Sequence, residues 1–242
     1  PVIMVDSELE IESGNGLLSN PYELKSPIRI GEIADQLLSN NSKYTYMGGT
    51  YLKGSIKNNY VWYNGFIWRI MGKNADGSIR LITEENVTAI PWGASNTAFN
   101  YANIEVKDWV NNYFLPRIKD TSKIVSTSFC EDSTLLTDES SARTTCSNPV
   151  LAQAGILSLD EYNLAGGESG YLKNGQYYWA LTPKSASNAW CVNNNGRAYN
   201  FSVGVEVGVR AVISISSDTT ITGGNGTLTA NSDTEYVLGQ TL

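Results

Sequence analysis

YYWALTPKSASNAWCVNNNGRAYNFSVGVEVGVRAVISI, residues 177–215, is a run of short apolar stretches broken by polar turns. Tyr178–Leu181 and Ala189–Asn193 read as strands, and the alternating run Val207–Ile215 reads as a third. Between the second and third lies Asn195-Gly196, a turn signal because both residues tolerate left-handed backbone. The stretch therefore predicts a sheet core with polar loops hung from it.

Upstream, the same logic gives more strands. Asn64-Gly65 separates the alternating runs Tyr60–Tyr63 and Phe66–Ile70, the strongest hairpin signal in the chain. A second turn at Asn74-Ala75-Asp76-Gly77 leads to Ile79–Ile82, so 59–83 is predicted to be a three-stranded meander. Tyr44–Gly54 reads as strand, Gly-Gly turn and strand. Two helices are predicted. In 28–40, Ile30, Ile33, Ala34, Leu37 and Leu38 recur at helical spacing. In 104–115, Ile104, Trp109, Val110, Tyr113 and Phe114 can share one face, and Pro116 should end the helix. Residues 120–148 read as polar loop, 156–162 as a short strand running into a turn or short helix, and 166–170 as a flexible glycine loop.

The two ends echo one another. Ser13-Gly14-Asn15-Gly16-Leu17-Leu18 leads to Pro21-Tyr22-Glu23-Leu24, and Gly223-Gly224-Asn225-Gly226-Thr227-Leu228 leads to Glu235-Tyr236-Val237-Leu238. Each copy is a turn, a polar bridge and a short Tyr-containing strand. The expected organisation is an N-terminal strand and appendage (1–27), one central domain (28–216) and a C-terminal appendage (217–242). Coincident turn chemistry and a repeated docking motif both explain the echo. Pro1-Val2-Ile3-Met4-Val5 reads as a first strand, as the residue of a removed N-terminal signal or anchor, or as both.

Composition narrows the chemistry. The net charge is −7 and no basic stripe is present, which argues against nucleic-acid binding. With no histidine, the commonest general base and zinc ligand are missing, and Ser-His-Asp or Cys-His hydrolysis is excluded. Cys130 and Cys146 flank the polar stretch EDSTLLTDESSARTT, which has little apolar material to hold itself. A bridge between them would be worth about 3 kcal/mol. Cys191, inside an apolar run, reads as a small buried hydrophobe. No stretch reaches the length of a membrane span. Asn-x-Ser/Thr sequons stand at Asn40, Asn86 and Asn225, with no reading attached to them.

Three segments in order, NNYVWYNGFIWRIMGKNADGSIRLITEE, ILSLDEYNLAG and YYWALTPKSASNAWCVNNNGRAYN…GVRAVISI, resemble the domain of unknown function 6273 of Gram-positive cell-surface proteins. Ala211 stands where that family usually has Pro in its closing Gly-Val-Arg-Pro. The resemblance covers about Tyr44 to Ile215. It implies an α+β, C-type-lectin-like fold: a small mixed or antiparallel twisted sheet, two flanking helices and long irregular loops. Formylglycine-generating enzymes and variable receptor proteins are distant structural relatives of that family. Fold alone assigns no function.

Candidate ligand residues cluster around one aromatic: Trp190 with Asn188, Asn193, Asn194, Asn195, Arg197 and Tyr199. Sugars are held by an aromatic face plus amide hydrogen bonds. The bland alternative is a core Trp with a solvated Asn-rich turn. Arg210, amid Val209, Val212 and Ile213, must be paired if buried; a structural ion pair, with Glu161 or Asp160, or a carbonyl clamp near the Trp179 strand is expected, with a ligand-binding arginine as the alternative. Arg210, Trp179 and Glu161 are thus read as structural. Asp160-Glu161 is a poor catalytic pair, because neighbours on a strand face opposite ways. The tripeptides of calcium-dependent lectins are absent. Glu131-Asp132 and Asp138-Glu139 lack regular ligand spacing, so no cofactor or metal is assigned, with calcium left open. The expectation is a secreted or surface-anchored, non-catalytic module that recognises a glycan, protein or cell-wall ligand. Filament or surface-assembly subunit and an enzyme of unusual, histidine-free type are the alternatives.

Overall fold

A computed structural model describes residues 10–15, 17–25, 27–93, 104–131, 135–228 and 235–239. The expected strand at 1–5 lies outside them. In chain order the elements are β1 (Glu10–Ser13), β2 (Glu23–Lys25), α1 (Ile30–Asn40), β3 (Lys43–Tyr46), β4 (Gly49–Leu52), β5 (Tyr60–Tyr63), β6 (Phe66–Lys73), β7 (Ile79–Thr83) and β8 (Thr88–Ile90). Next come α2 (Glu105–Trp109), β9 (Thr127–Cys130), β10 (Pro149–Ala152), β11 (Ala154–Gly155), α3 (Leu159–Leu164), β12 (Tyr178–Pro183), β13 (Asn188–Val192) and β14 (Ala198–Ser202). The last are β15 (Val207–Val209), β16 (Val212–Ile215), β17 (Ile221–Gly223) and β18 (Tyr236–Leu238). The class is α+β, dominated by sheet.

Two sheets carry the molecule. The larger runs β11-β16-β7-β6-β5-β18-β17, with β4 pairing on β6 and β3 outside β4. The smaller runs β14-β13-β12-β15-β8. Most pairings are antiparallel; β12 with β15 and β18 with β5 are parallel. One buried apolar cluster joins both sheets and takes in Trp68, Tyr178 and Trp179, all fully buried. α1 closes one side, burying Ile30, Ile33, Ala34, Leu37 and Leu38 as its spacing predicts. No side chain caps α1. Its Ile30 and Gly31 N–H groups donate instead to the Thr219 and Ser217 carbonyls, which ties the helix start to the end of the core.

The meander of 59–83 forms as predicted, with Tyr63 opposite Phe66 and Ile70 opposite Leu81. Asn64 and Gly65 take φ of 54° and 83°, the left-handed pair that a two-residue hairpin needs. Other expectations are corrected. The β3–β4 turn uses Met47 and Gly48 rather than Gly-Gly, with Gly49 already in β4. The 104–115 helix is α-helical only to Trp109. It then passes through a π turn (Val110–Phe114) and a 3-10 turn (Leu115–Arg117) that carries Pro116. The wider π turn rotates Tyr113 out to solvent, off the face that Ile104, Val110 and Phe114 bury. Lys107 pairs with Glu131 at 3.0 Å.

Residues 120–148 are not all loop. β9 buries Phe129 and pairs with β10, and Cys130 is bonded to Cys146. Residues 156–162 hold no strand, because Ser158 caps α3: its hydroxyl accepts from Glu161 N–H, while the Glu161 carboxylate accepts from Ser158 N–H. Gly166–Gly170 is an ordered turn whose neighbour Ala165 accepts from Gly54 N–H. The run 207–215 is two strands in two sheets, broken at Arg210-Ala211, where the chain crosses between them. β14 was not anticipated. The C-terminal hairpin β17–β18 is no free appendage; it extends the larger sheet.

Replacing Cys130 and Cys146 with Ser should remove about 3 kcal/mol. The expected fall in Tm is roughly 6–12 °C for a domain of this size. Scanning calorimetry on the variant, and on the parent with and without reductant, checks it. An unchanged Tm would mean that β9 and β10 hold the loop unaided.

Candidate functional site

Three arginines lie buried, Arg69 in β6, Arg80 in β7 and Arg210 at the break between β15 and β16, and each faces a carboxylate from another segment. Arg210 is fully buried. Its Nε donates to Thr83 O at 2.6 Å, its Nη1 to Leu172 O at 2.6 Å, and its Nη2 stands 3.5 Å from Glu84 Oε2. The Tyr178 ring lies 5.0 Å beneath it. Arg69 approaches the same Glu84 oxygen at 3.8 Å and donates to Ile56 O, Tyr171 O, Tyr60 Oη and Asn59 Oδ1. Burial pulls the Arg69 guanidinium below its ordinary value. Arg80 pairs with Glu161 at 3.0 Å, each side chain only 2% exposed. Burial lowers Arg80, but Glu161 and the phenols of Tyr51, Tyr46 and Tyr44 outweigh it, leaving it above its ordinary value. So Arg210 is clamped by carbonyls, one of the two expected arrangements, and its expected carboxylate partner is corrected. Glu161 belongs to Arg80, Asp160 takes Arg143 at 2.8 Å, and Glu84 serves Arg210. On α3 the two carboxylates face two different arginines, a structural arrangement. Trp179 is structural as expected, fully buried with Nε1 donating to Ile90 O.

Trp190 does not offer a face. It is 2% exposed, its Nε1 donates to Leu136 O, and it packs with Leu159, Ala180 and Ala198 under Lys184. A strand that alternates between faces sends Trp190 toward α3 while its neighbour Cys191 goes into the main core. Burial pushes the Cys191 thiol up to about 12, which leaves it unreactive.

What the predicted residues do build is an edge. β14 is the outermost strand of its sheet, paired only with β13 among the described residues. The Asn193–Gly196 turn before it is held by the Asn193 carboxamide oxygen, which accepts from Asn195 and Arg197 N–H. That engages Asn193 and leaves Asn194 and Asn195 exposed. Tyr199 is 47% exposed and meets Phe201 at 5.1 Å, edge on; Tyr177, 39% exposed, meets Phe201 at 5.9 Å. Three rings thus form a ledge along the edge. On the other face of β14, Asn188 donates to Asn200 at 2.9 Å. Beside the turn lies an open cleft of about 490 Å³. Glu168 crosses it to Arg197 at 3.1 Å, and Tyr162 and Asn163 form part of its wall. Sequence reasoning missed Tyr177 and Phe201. The signal was there, since Tyr199 and Phe201 stand two apart in a short run that alternates Tyr-Asn-Phe.

The acidic loop is otherwise engaged. Glu131 holds Lys107, and the Asp138 carboxylate accepts from the Ser140 hydroxyl and N–H, which keeps its pKa below the usual value. Asp132 lies outside the described residues.

Buried phenols set the alkaline limit. Burial raises Tyr51 and Tyr63 to about 12, and raises Tyr44, Tyr46, Tyr171 and Tyr178 further. Their folded pKa values exceed the unfolded value near 10. Their contribution is therefore complete below about pH 10 and is lost as pH rises through 12. Phenolate absorbance at 295 nm should rise in two stages: exposed tyrosines first, then the buried set together with loss of the circular-dichroism signal. A single smooth titration with the fold intact would contradict this burial.

No family model, curated protein or solved structure matches the chain.

Proposed function

We propose that the chain is a non-catalytic recognition module displayed outside the cell, C-type-lectin-like in fold, that binds a glycan on the β14 edge. The observation that carries the reading is the Tyr177–Phe201–Tyr199 ledge beside Asn194, Asn195 and Arg197. Aromatic faces supply area at small entropic cost, and amides supply both donors and acceptors. A net charge of −7 disfavours polyanionic glycans and favours neutral or amino-sugar oligomers. The Cys130–Cys146 bond is consistent with an oxidising compartment, and no helix among the described residues is long and apolar enough to cross a membrane. A protein or other cell-wall ligand would use the same ledge.

The test is titration with N-acetylhexosamine oligomers, muropeptides and neutral oligosaccharides, with calcium and with chelator, followed by NMR. Tyr199→Ala should weaken any binding found by about tenfold or more, that is about 1.4 kcal/mol. Trp190→Phe should leave it intact. Binding that survives Tyr199→Ala with Phe201→Ala would sink the ledge as the site.

A further inference from the structure

The two terminal hairpins are the same device, one docked and one bare. β1–β2 pairs Ile11 with Leu24 and, after a bulge, Ser13 with Glu23. β17–β18 pairs Ile221 with Leu238 and, after a bulge, Gly223 with Val237. Aligned on Gly-Asn-Gly in the first strand and on Tyr22 and Tyr236 in the second, these are the same positions, and the bridge between the strands is four residues longer in the C-terminal copy. The turns agree as well. Leu17 N–H donates to the Asn15 carboxamide oxygen and Thr227 N–H to that of Asn225, both at 3.1 Å. Gly14 and Gly224 take φ of 97° and 87°, and each passes so close to the residue before the tyrosine, Pro21 or Glu235, that a Cβ would strike its carbonyl.

The C-terminal copy shows what the device does. β18 lies parallel on β5, Tyr236 against Val61 and Val237 against Trp62, and Gly226 O accepts from Tyr60 N–H. Docking buries Glu235 and Leu238. The N-terminal copy has no such neighbour among the described residues. β2 pairs only with β1, and Ile11, Leu17, Leu18 and Tyr22 are exposed, Tyr22 by 56%. An unpaired strand edge beside exposed apolar side chains is a template for strand addition.

We infer that the N-terminal hairpin is a clip for the β5 edge of a second copy of this chain, so that copies join head to tail by exchanging it for that copy's own β17–β18. The occupant is fixed by the repeat. A hairpin with the same register, bulge and turn already sits on Tyr60–Tyr63, so β2 would lie parallel there with Tyr22 at Val61 and Glu23 at Trp62. The contact is heterologous, so successive copies build an open chain or a ring according to the rotation between them.

Full-length Glu23→Cys with Trp62→Cys tests the register, since facing strand positions suit a disulfide. Under mild oxidation it should give a ladder of intermolecular products on a non-reducing gel. The ladder should grow with protein concentration and exceed several-fold that of Glu23→Cys with Tyr113→Cys, a pair off the proposed contact. Val237→Cys with Trp62→Cys should close within the monomer and confirm the docked register. Adding Val237→Pro, which removes an N–H from the resident clip, should strengthen the 23–62 ladder. A 23–62 ladder no stronger than the 23–113 control, with and without Val237→Pro, overturns the inference. So does closure of 23–62 within one monomer. Glycan binding at β14 is untouched by either result.

Discussion

Glu161→Ala should bring the domain close to unfolding. Glu161 does two things at once: it is the counter-charge of buried Arg80 and the return half of the α3 capping box. Removing one member of a buried ion pair costs about 3–5 kcal/mol, because the other is left charged in a medium that cannot solvate it. Losing the cap adds roughly 1 kcal/mol. The whole stability of such a domain is about 5–15 kcal/mol. Two companions separate the parts. Glu161→Gln keeps an acceptor for Ser158 N–H but removes the charge, so it should retain most of the ion-pair loss. Arg80→Leu with Glu161→Gln removes both charges and should recover much of it. Urea unfolding at neutral pH reads all three, and a loss under about 1 kcal/mol in Glu161→Gln would mean that water reaches Arg80 after all.

Glu84→Gln is expected to cost a comparable 3–5 kcal/mol by a different route. One carboxylate oxygen serves two guanidinium groups, Arg210 at 3.5 Å and Arg69 at 3.8 Å. The neutral amide leaves two buried positive charges facing each other. Arg69 keeps its carbonyl, hydroxyl and amide acceptors, whereas Arg210 Nη2 has no hydrogen-bond partner of its own. Arg210→Met in the Glu84→Gln background should therefore be more stable than Glu84→Gln alone. If it is less stable, Arg210 matters through its carbonyl bonds to Thr83 and Leu172 rather than through charge.

Much of this architecture was legible because its signals are local. Asn64-Gly65 announced its own turn, and Ile30 to Leu38 announced their helix face. Ser158-x-x-Glu161 was also a local signal, a capping box, but the apolar run Ile156-Leu157 before it drew the reading toward a strand. Arg210 was recognised as buried from its apolar neighbours. Trp68-Arg69-Ile70 and Ile79-Arg80-Leu81 have the same pattern and carried the same message. The partners were another matter. Glu84 meets Arg210 because β7 pairs with β16, and Glu161 reaches Arg80 from α3, so nothing near Arg210 in the sequence could point to Glu84. Trp190 failed as a site residue for a related reason. Alternation says that Trp190 and Cys191 face opposite ways but not which face is solvent, and Leu136, which covers the ring, comes from a loop with no periodicity. The C-type-lectin-like reading rests on the resemblance alone and stands as part of the proposal.

The parallel pairing of β18 with β5 has a temporal consequence. Chains emerge from the ribosome at about 5–20 residues per second. β5 begins at Tyr60 and β18 at Tyr236, 236 − 60 = 176 residues later. For roughly 9–35 s at those rates the Tyr60–Tyr63 edge is synthesised but has no resident clip. On a polysome, that interval places an open acceptor strand beside neighbouring nascent chains whose own N-terminal hairpins are already outside the tunnel. Under the clip exchange inferred above, translation speed as well as affinity then decides whether the larger sheet is sealed by its own chain or by its neighbour's.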